Sequence, residues 1–79
     1  MIQINDDQKV FFKKHFVVCK KGEPVTVANS MDVPATELRK TFDEKEMRRF
    51  FAHAKMKNRD EVQVVLKHDV EELLSNLEL

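Results

Sequence analysis

The chain has 79 residues, with 14 Lys and Arg balanced by 14 Asp and Glu, one Cys, one Gly and no Trp or Tyr. That length predicts a single domain, residues 1–79, with a modest core. A single Cys excludes a disulfide within the chain and is typical of a reducing compartment. No apolar run approaches the roughly 20 residues that a membrane-spanning helix needs, and the first residues lack the features of a signal peptide. We therefore expect a cytoplasmic protein that does not contact membranes.

The zero net charge hides an uneven distribution along the chain. Residues 1–36 carry a net charge of +1, residues 37–60 carry eight cations and five anions, and residues 61–79 carry one cation and five anions. The middle segment is therefore basic and the last segment is acidic. Such asymmetry is one mark of a nucleic-acid-binding face. A solvated surface of mixed charge is the alternative.

The first predicted element is a helix that begins at Asn5 or Asp6 and ends before Gly22. The side chain of either Asn5 or Asp6 can cap the N-terminus of this helix. Two lysines followed by a glycine are a typical stop signal, because cations suit the C-terminal dipole and glycine accepts a left-handed backbone. A strand is the alternative here, because residues 16–19 are of types favoured in strands. The conformation of residues 9–20 stays open between helix and strand.

Three further helices are predicted between the first helix and the last segment of the chain. The first covers residues 26–31, and the second covers residues 34–42 because a proline is favoured in the first turn of a helix. The third begins after Asp43, which forms a capping box with Glu46, and it extends to about residue 58. The last segment follows that helix.

Apolar residues recur through the last segment at steps of four, four, three and four, and these are Val62, Leu66, Val70, Leu73 and Leu77. This near-heptad spacing predicts an amphipathic helix. We expect the apolar seam to form a homodimer interface, because so short a chain has little core to cover it. Packing within one chain is the alternative. A competing interpretation makes residues 61–67 a strand, paired with residues 1–4.

The most informative segment is residues 26–42, which fits the side-chain requirements of two helices that cross at a tight turn. It has a small residue at the crossing point, apolar neighbours and inward residues beyond the turn, which are Ala28, Val27, Met31, Val33 and Leu38. Asp32 lies at the turn, where it tolerates the left-handed backbone that is needed. The segment resembles the helix-turn-helix motif of DNA-binding proteins. Residues 25–38 are also similar to the N-terminal helical module of bacterial translation initiation factor 2, which supports the helical fold but not sequence-specific DNA reading.

The helix-turn-helix resemblance implies that the second helix enters the major groove of double-stranded DNA. Its outward residues would contact base edges or nearby phosphates, and they are Ala35, Thr36, Arg39 and Lys40. Basic residues further along would contact phosphates, which position a protein without specifying a sequence, and they are Arg48, Arg49, Lys55 and Lys57.

No pattern for catalysis or for a cofactor is found in the sequence. His15 and Cys19 are four residues apart, but two side chains do not make a metal site and no further ligand has suitable spacing. We therefore expect neither enzymatic activity nor a bound metal or cofactor.

Together these patterns predict a mainly α fold. It is a small helix-turn-helix domain of three or four helices with a C-terminal amphipathic helix and at most a short β-pair. The expected function is that of a small, dimeric DNA-binding regulator of transcription. The alternative is a protein-interaction adaptor or inhibitor, of the kind that phages or mobile elements encode. Such a protein would bind a larger host or regulatory protein without contacting DNA.

Overall fold

The computed structural model describes residues 3–19 and 21–76. These residues form four helices and three strands, in the order α1 (Asp6–His15), β1 (Ser30–Pro34), α2 (Ala35–Thr41), α3 (Glu44–Phe50), β2 (Phe51–Met56), β3 (Glu61–Leu66) and α4 (His68–Asn76). The strand β3 lies between β1 and β2 and pairs antiparallel with both. All four helices contribute buried side chains to the same cluster as the inward residues of β3. The fold is therefore an α+β sandwich of one helical layer and one sheet.

The prediction of a mainly helical fold is wrong, and the largest error lies in residues 26–34. These residues are extended: Val27 pairs with Val17 in an isolated bridge, and residues 30–34 form β1. Val33 is fully buried and lies opposite Val62 of β3, so the strand places a β-branched residue against the core. Asp32 lies within this strand and does not have the left-handed backbone that a turn would require. Residues 26–42 therefore do not fold as two helices.

The first helix begins as predicted but ends early. Asn5 caps α1, and Gln8 completes a capping box with it. The helix ends at His15 because the chain after Phe16 pairs with a later segment, with the Val18 backbone N–H donating to the Thr26 carbonyl oxygen at 3.0 Å. Of residues 9–20, those up to His15 are therefore helical and those after Phe16 are extended, while Lys20 lies outside the described residues.

Gly22 lies in the loop that connects the two extended segments on either side of it. Its φ is +86°, the single positive value among the described residues, and a Cβ at this position would have no atom within 4 Å. The left-handed glycine expected from the sequence is present, but it serves a loop and not the end of a helix.

The next two helices begin where the sequence predicts. Pro34 precedes α2, and Asp43 caps α3 by accepting the backbone N–H of Glu46 at 2.7 Å. The helix α3 then ends at Phe50, and the prediction that it reaches residue 58 is wrong. Residues 51–56 pair with β3 instead, and a tight turn at Asn58, whose side chain accepts two backbone N–H groups, returns the chain.

The competing interpretation of the last segment is confirmed in part, because residues 61–66 form a strand. Its partners are β1 and β2, whereas Gln3 and Ile4 lie in no strand and Met1 and Ile2 lie outside the described residues. The apolar seam is therefore divided between β3 and the helix α4, and the predicted continuous amphipathic helix is wrong. The reason is that alternate apolar residues of β3 face the core while its intervening residues face solvent.

All six phenylalanines are buried, at 5% exposure or less. Phe12 lies at their centre, because its ring contacts each of the other five, with centroid distances between 5.5 and 6.3 Å. Two rings belong to α1, one to the end of α3 and one to the start of β2. The remaining two belong to Phe16 and Phe42, which directly follow α1 and α2. One aromatic cluster thus joins the helices to the start of the β2–β3 hairpin. No helix in the described ranges has the length and apolar character needed to cross a membrane.

Candidate nucleic-acid interface

The helices α2 and α3 follow each other closely, with only Phe42 and Asp43 between them. Buried residues fix the orientation of both helices: Leu38 on α2 and Phe50 on α3 face the core. The basic residues of α3 therefore lie on its outer surface, where Lys45, Arg48 and Arg49 are exposed. Their spacing of three and four residues places them on one face of the helix.

The acidic residues at the start of α3 are held by other groups of the protein. Glu46 accepts the backbone N–H of Asp43 at 3.2 Å, and its second carboxylate oxygen accepts a hydrogen bond from the amide of Gln8, which is 1% exposed. Glu44 lies 3.7 Å from the guanidinium of Arg48, one helical turn away. Glu46 thus serves the helix start and the contact with α1, while Glu44 forms an exposed ion pair within α3.

Glu37 on α2 is engaged by the end of α1. Its Oε1 lies 3.3 Å from the Lys14 ammonium and 3.1 Å from Nε2 of His15, although the His15 nitrogen is not aligned as a hydrogen-bond donor or acceptor. The two side chains therefore approach closely without hydrogen-bond geometry. The His15 imidazole contributes most to lowering the pKa of Glu37 below its ordinary value. Burial of the carboxylate acts in the opposite direction and raises this pKa, while Lys14 lowers it further.

We expect this contact to make stability depend on pH in the acid range. Because the pKa of Glu37 is lower in the folded state than its ordinary value of 4.5, the ionised carboxylate stabilises the fold above that pH. The contribution is lost as the pH falls through the folded-state pKa. In urea unfolding at a series of pH values, the stability difference between wild type and Glu37→Gln should therefore shrink below pH 4.5.

A matched control for this prediction is Glu44→Gln, which removes one exposed carboxylate elsewhere on the same surface. Its difference from wild type should change less over the same pH range. Parallel stability curves for wild type and Glu37→Gln would contradict the prediction.

Most basic residues of the middle segment have no such partner. Within residues 3–19 and 21–76, no carboxylate lies within 4 Å of six of them. They are Arg39, Lys40, Lys45, Arg49, Lys55 and Arg59, and all six are exposed. Residues 37–60 hold eight cations and five acids, so this segment keeps a surplus of positive charge and six of its cations are free for contact with a partner.

The β2–β3 hairpin extends beyond the helices and carries basic residues on its strand and at its turn. Lys57 reaches across the sheet to Asp32 on β1, and this carboxylate raises the pKa of Lys57. Lys57 is thus engaged within the sheet, while Lys55 and Arg59 remain available for other contacts.

The predicted DNA-contact residues separate into two groups in the structure. Ala35 is 5% exposed at the start of α2, so it packs in the core and is not available to contact DNA. The others are exposed on α2, α3 and the hairpin, and they are Thr36, Arg39, Lys40, Arg48, Arg49, Lys55 and Lys57. Lys45 and Arg59 are also exposed and belong to the same basic segment, but neither is among the residues predicted from the sequence.

The residues expected at a homodimer interface are mostly used within one chain. Val62, Leu66 and Val70 are 6%, 4% and 0% exposed and belong to the core. Leu73 is half-buried on α4, and Leu77 lies outside the described residues. The homodimer stays a prediction, but the three core residues are not available to form it.

His15 and Cys19 do not share a helix face, because α1 ends at His15. In the part of the chain that the structure describes, no group of three or more His, Cys, Asp or Glu side chains is arranged to hold a metal ion. The chain matches no protein-family model, and neither a curated protein nor a solved structure is significantly similar to it.

Proposed function

We propose that this protein binds double-stranded DNA through α3 and the adjoining β2–β3 hairpin, and that it acts as a small regulator of transcription. The observation that carries the proposal is a surplus of exposed cations. Residues 37–60 hold eight cations and five acids, and six of the cations are exposed with no carboxylate of residues 3–19 and 21–76 within 4 Å. A surface of this kind favours phosphate groups.

The order of elements supports the same function. Two short helices joined by two residues are followed directly by a β-hairpin, and the central strand of the sheet is the last in sequence. This is the order of a winged helix-turn-helix domain, and the analogy is one of topology alone. In a helix-turn-helix the second helix lies in the major groove. The reading helix in this proposal is therefore α3, where the sequence alone had indicated α2.

The proposal assigns different roles to the three basic elements. Lys45, Arg48 and Arg49 on α3 face the groove, where arginine binds guanine edges or phosphates. Arg39 and Lys40 on α2 contact the backbone of one strand, and phosphate contacts of this kind position the protein without specifying a sequence. On the hairpin, the side chains that contact the flanking backbone are Lys55 and Arg59. The protein acts in the cytoplasm and is not an enzyme within this proposal.

A gel-shift titration with a random-sequence duplex, at salt concentrations from about 50 to 200 mM, tests the proposal. The logarithm of the affinity should fall linearly with the logarithm of the salt concentration, because each phosphate contact releases counterions. The double variant Lys45→Ala, Arg49→Ala should reduce that slope by about one for each phosphate contact that is lost.

The matched control removes two exposed lysines from α1, in the variant Lys9→Ala, Lys13→Ala. It has the same change in net charge but lies on a different helix, so its slope should equal that of wild type. The proposal is wrong if no duplex is retarded at about 50 mM salt, or if the control weakens binding as much as the α3 variant.

A second candidate function, a protein-interaction adaptor or inhibitor, is favoured by a different feature. The outer edge of β2 is exposed along its length beside an apolar cleft. This surface can bind another protein whether or not the chain binds DNA.

A further inference from the structure

The strand β2 has a partner on one side only. It pairs with β3, and no strand of the described residues pairs with its other edge. Five of its six residues are exposed. A free edge carries unpaired backbone N–H and C=O groups that can accept an added strand.

The pairing with β3 identifies which backbone groups point outward. The Lys57 backbone N–H donates to the Glu61 carbonyl oxygen at 2.9 Å, so this pair is hydrogen-bonded across the hairpin. Hydrogen-bonded and non-hydrogen-bonded pairs alternate in an antiparallel ladder. The pair of Lys55 with Gln63 is therefore hydrogen-bonded too, and the N–H and C=O groups of Ala54 and Met56 point away from β3.

The side chains of these two residues face an apolar cleft. They lie opposite Val64 and Val62 and so are on the core side of the sheet, yet Met56 is 50% exposed because no helix covers this end. The cleft has a volume of about 460 Å³, within the range of about 300–1,000 Å³ typical of binding sites. Its apolar lining comes from α2, α3, β2, β3 and the residue that follows α2, and consists of Leu38, Phe42, Met47, Ala54, Met56 and Val62.

The residue between Ala54 and Met56 has a different environment. Successive side chains of a strand point to opposite faces, so Lys55 lies on the face of the sheet that the helices do not cover. No carboxylate of the described residues is within 4 Å of it. An added strand would place one side chain directly beside Lys55, where an opposite charge is favourable.

We propose that the edge of β2 binds an extended segment of another protein with the pattern apolar, acidic, apolar. The backbone of that segment pairs with the outward groups of Ala54 and Met56. Its two apolar side chains enter the cleft, and its acidic side chain lies beside Lys55. Main-chain pairing with pockets for alternate side chains is a common mode of peptide recognition. The inference does not rest on DNA binding.

A second copy of the chain fits this edge less well. Antiparallel self-pairing through the outward groups has three registers, centred on Ala54, Lys55 or Met56. These place Lys55 opposite His53, opposite the Lys55 of the second copy, or opposite Lys57. Two of the three registers set lysine against lysine, and like charges directly opposite are destabilising. The charge on this edge therefore favours an acidic segment over the strand itself.

Titration of the ¹⁵N-labelled protein with capped peptides tests the proposal. The probes are acetyl-TVEVT-amide, the basic peptide acetyl-TVKVT-amide and the polar peptide acetyl-TSEST-amide. The acidic apolar peptide should shift the amide signals of Ala54 and Met56 most strongly. The basic peptide should bind about two- to fivefold more weakly, given the size of cross-strand charge pairs. Loss of two buried valines should weaken the polar peptide at least about tenfold.

Two variants of β2 separate main-chain pairing from charge. Ala54→Pro removes an N–H group that points away from β3, a position where an edge strand tolerates proline, and it should abolish binding. Lys55→Glu should reverse the preference, so that the basic peptide binds more tightly than the acidic one. Lys67→Glu, at an exposed site after β3, is the matched control and should leave the preference unchanged.

Three results would overturn the proposal. One is the absence of signal shifts at about 1 mM peptide, and another is a set of shifts that map away from β2. The third is self-association in sedimentation experiments that Ala54→Pro abolishes, because the edge would then belong to a second copy. Since no DNA is present, these results are independent of the DNA-binding experiment.

Discussion

Replacing Phe12 by alanine is expected to lower the free energy of unfolding by about 3–5 kcal/mol, the usual cost of truncating a buried aromatic residue. The ring is 0% exposed and touches the other five phenylalanines, so its removal leaves a cavity that no single neighbour can fill. Domains of ordinary size have a total stability of about 5–15 kcal/mol. The variant should therefore lose a large part of its folded population, which equilibrium urea denaturation followed by circular dichroism will measure.

The control for this prediction is Val10→Ala on the same helix. Val10 is 63% exposed, so its truncation should change stability by no more than about 0.5 kcal/mol. Phe12→Leu keeps most of the apolar volume and should remain measurable if the alanine variant is unfolded. A loss of less than about 1.5 kcal/mol for Phe12→Ala would mean that the aromatic cluster is not the centre of the core.

Glu46→Ala is expected to destabilise the protein by about 2–3 kcal/mol, although Glu46 is an acidic residue near the surface. Its carboxylate completes the capping box with Asp43 and accepts the hydrogen bond from Gln8. Without it, the Nε2 group of Gln8 loses its hydrogen-bond acceptor, and this residue is 1% exposed. A buried polar group that has lost its partner costs far more than a surface ion pair.

Glu44→Ala is a matched control, because it removes the same charge from the same helix. Glu44 pairs only with Arg48, and the two side chains are 90% and 77% exposed, so the expected loss is no more than about 0.5 kcal/mol. Urea denaturation of both variants at neutral pH measures the difference. Equal losses would show that the contact between α1 and α3 does not contribute to stability.

Local signals in the sequence were sufficient to predict the starts of α1, α2 and α3, but not that of α4 at His68. The caps at Asn5 and Asp43 each involve a residue three positions further along the chain, so both can be recognised from the sequence alone. The ends of the helices could not be predicted in this way. Residues 51–56 have apolar spacing compatible with a helix, and only pairing with β3 makes them a strand. The same applies to β1, whose partner lies about thirty residues further along the chain.

The candidate site was predictable to a similar extent. The charge count located the basic segment, and most of its cations were named from the sequence. Which acids would be occupied could not be predicted, because Glu37 and Glu46 are engaged by residues of α1 that are distant in sequence. The burial of Ala35 likewise depends on tertiary packing, since the residue was expected on the outer face of its helix.

The position of β3 in the sheet has a consequence for how the chain folds. Within residues 3–19 and 21–76, both edge strands pair only with β3, which is the last of the three strands in sequence. A growing chain on the ribosome that ends before Glu61 therefore has no strand to complete the sheet, even though α1, α2, α3 and all six phenylalanines have already been synthesised. The sheet can therefore form only after β3 has been synthesised. Until then the aromatic residues lack the apolar surface of β3, so the nascent protein is open to chaperones and proteases.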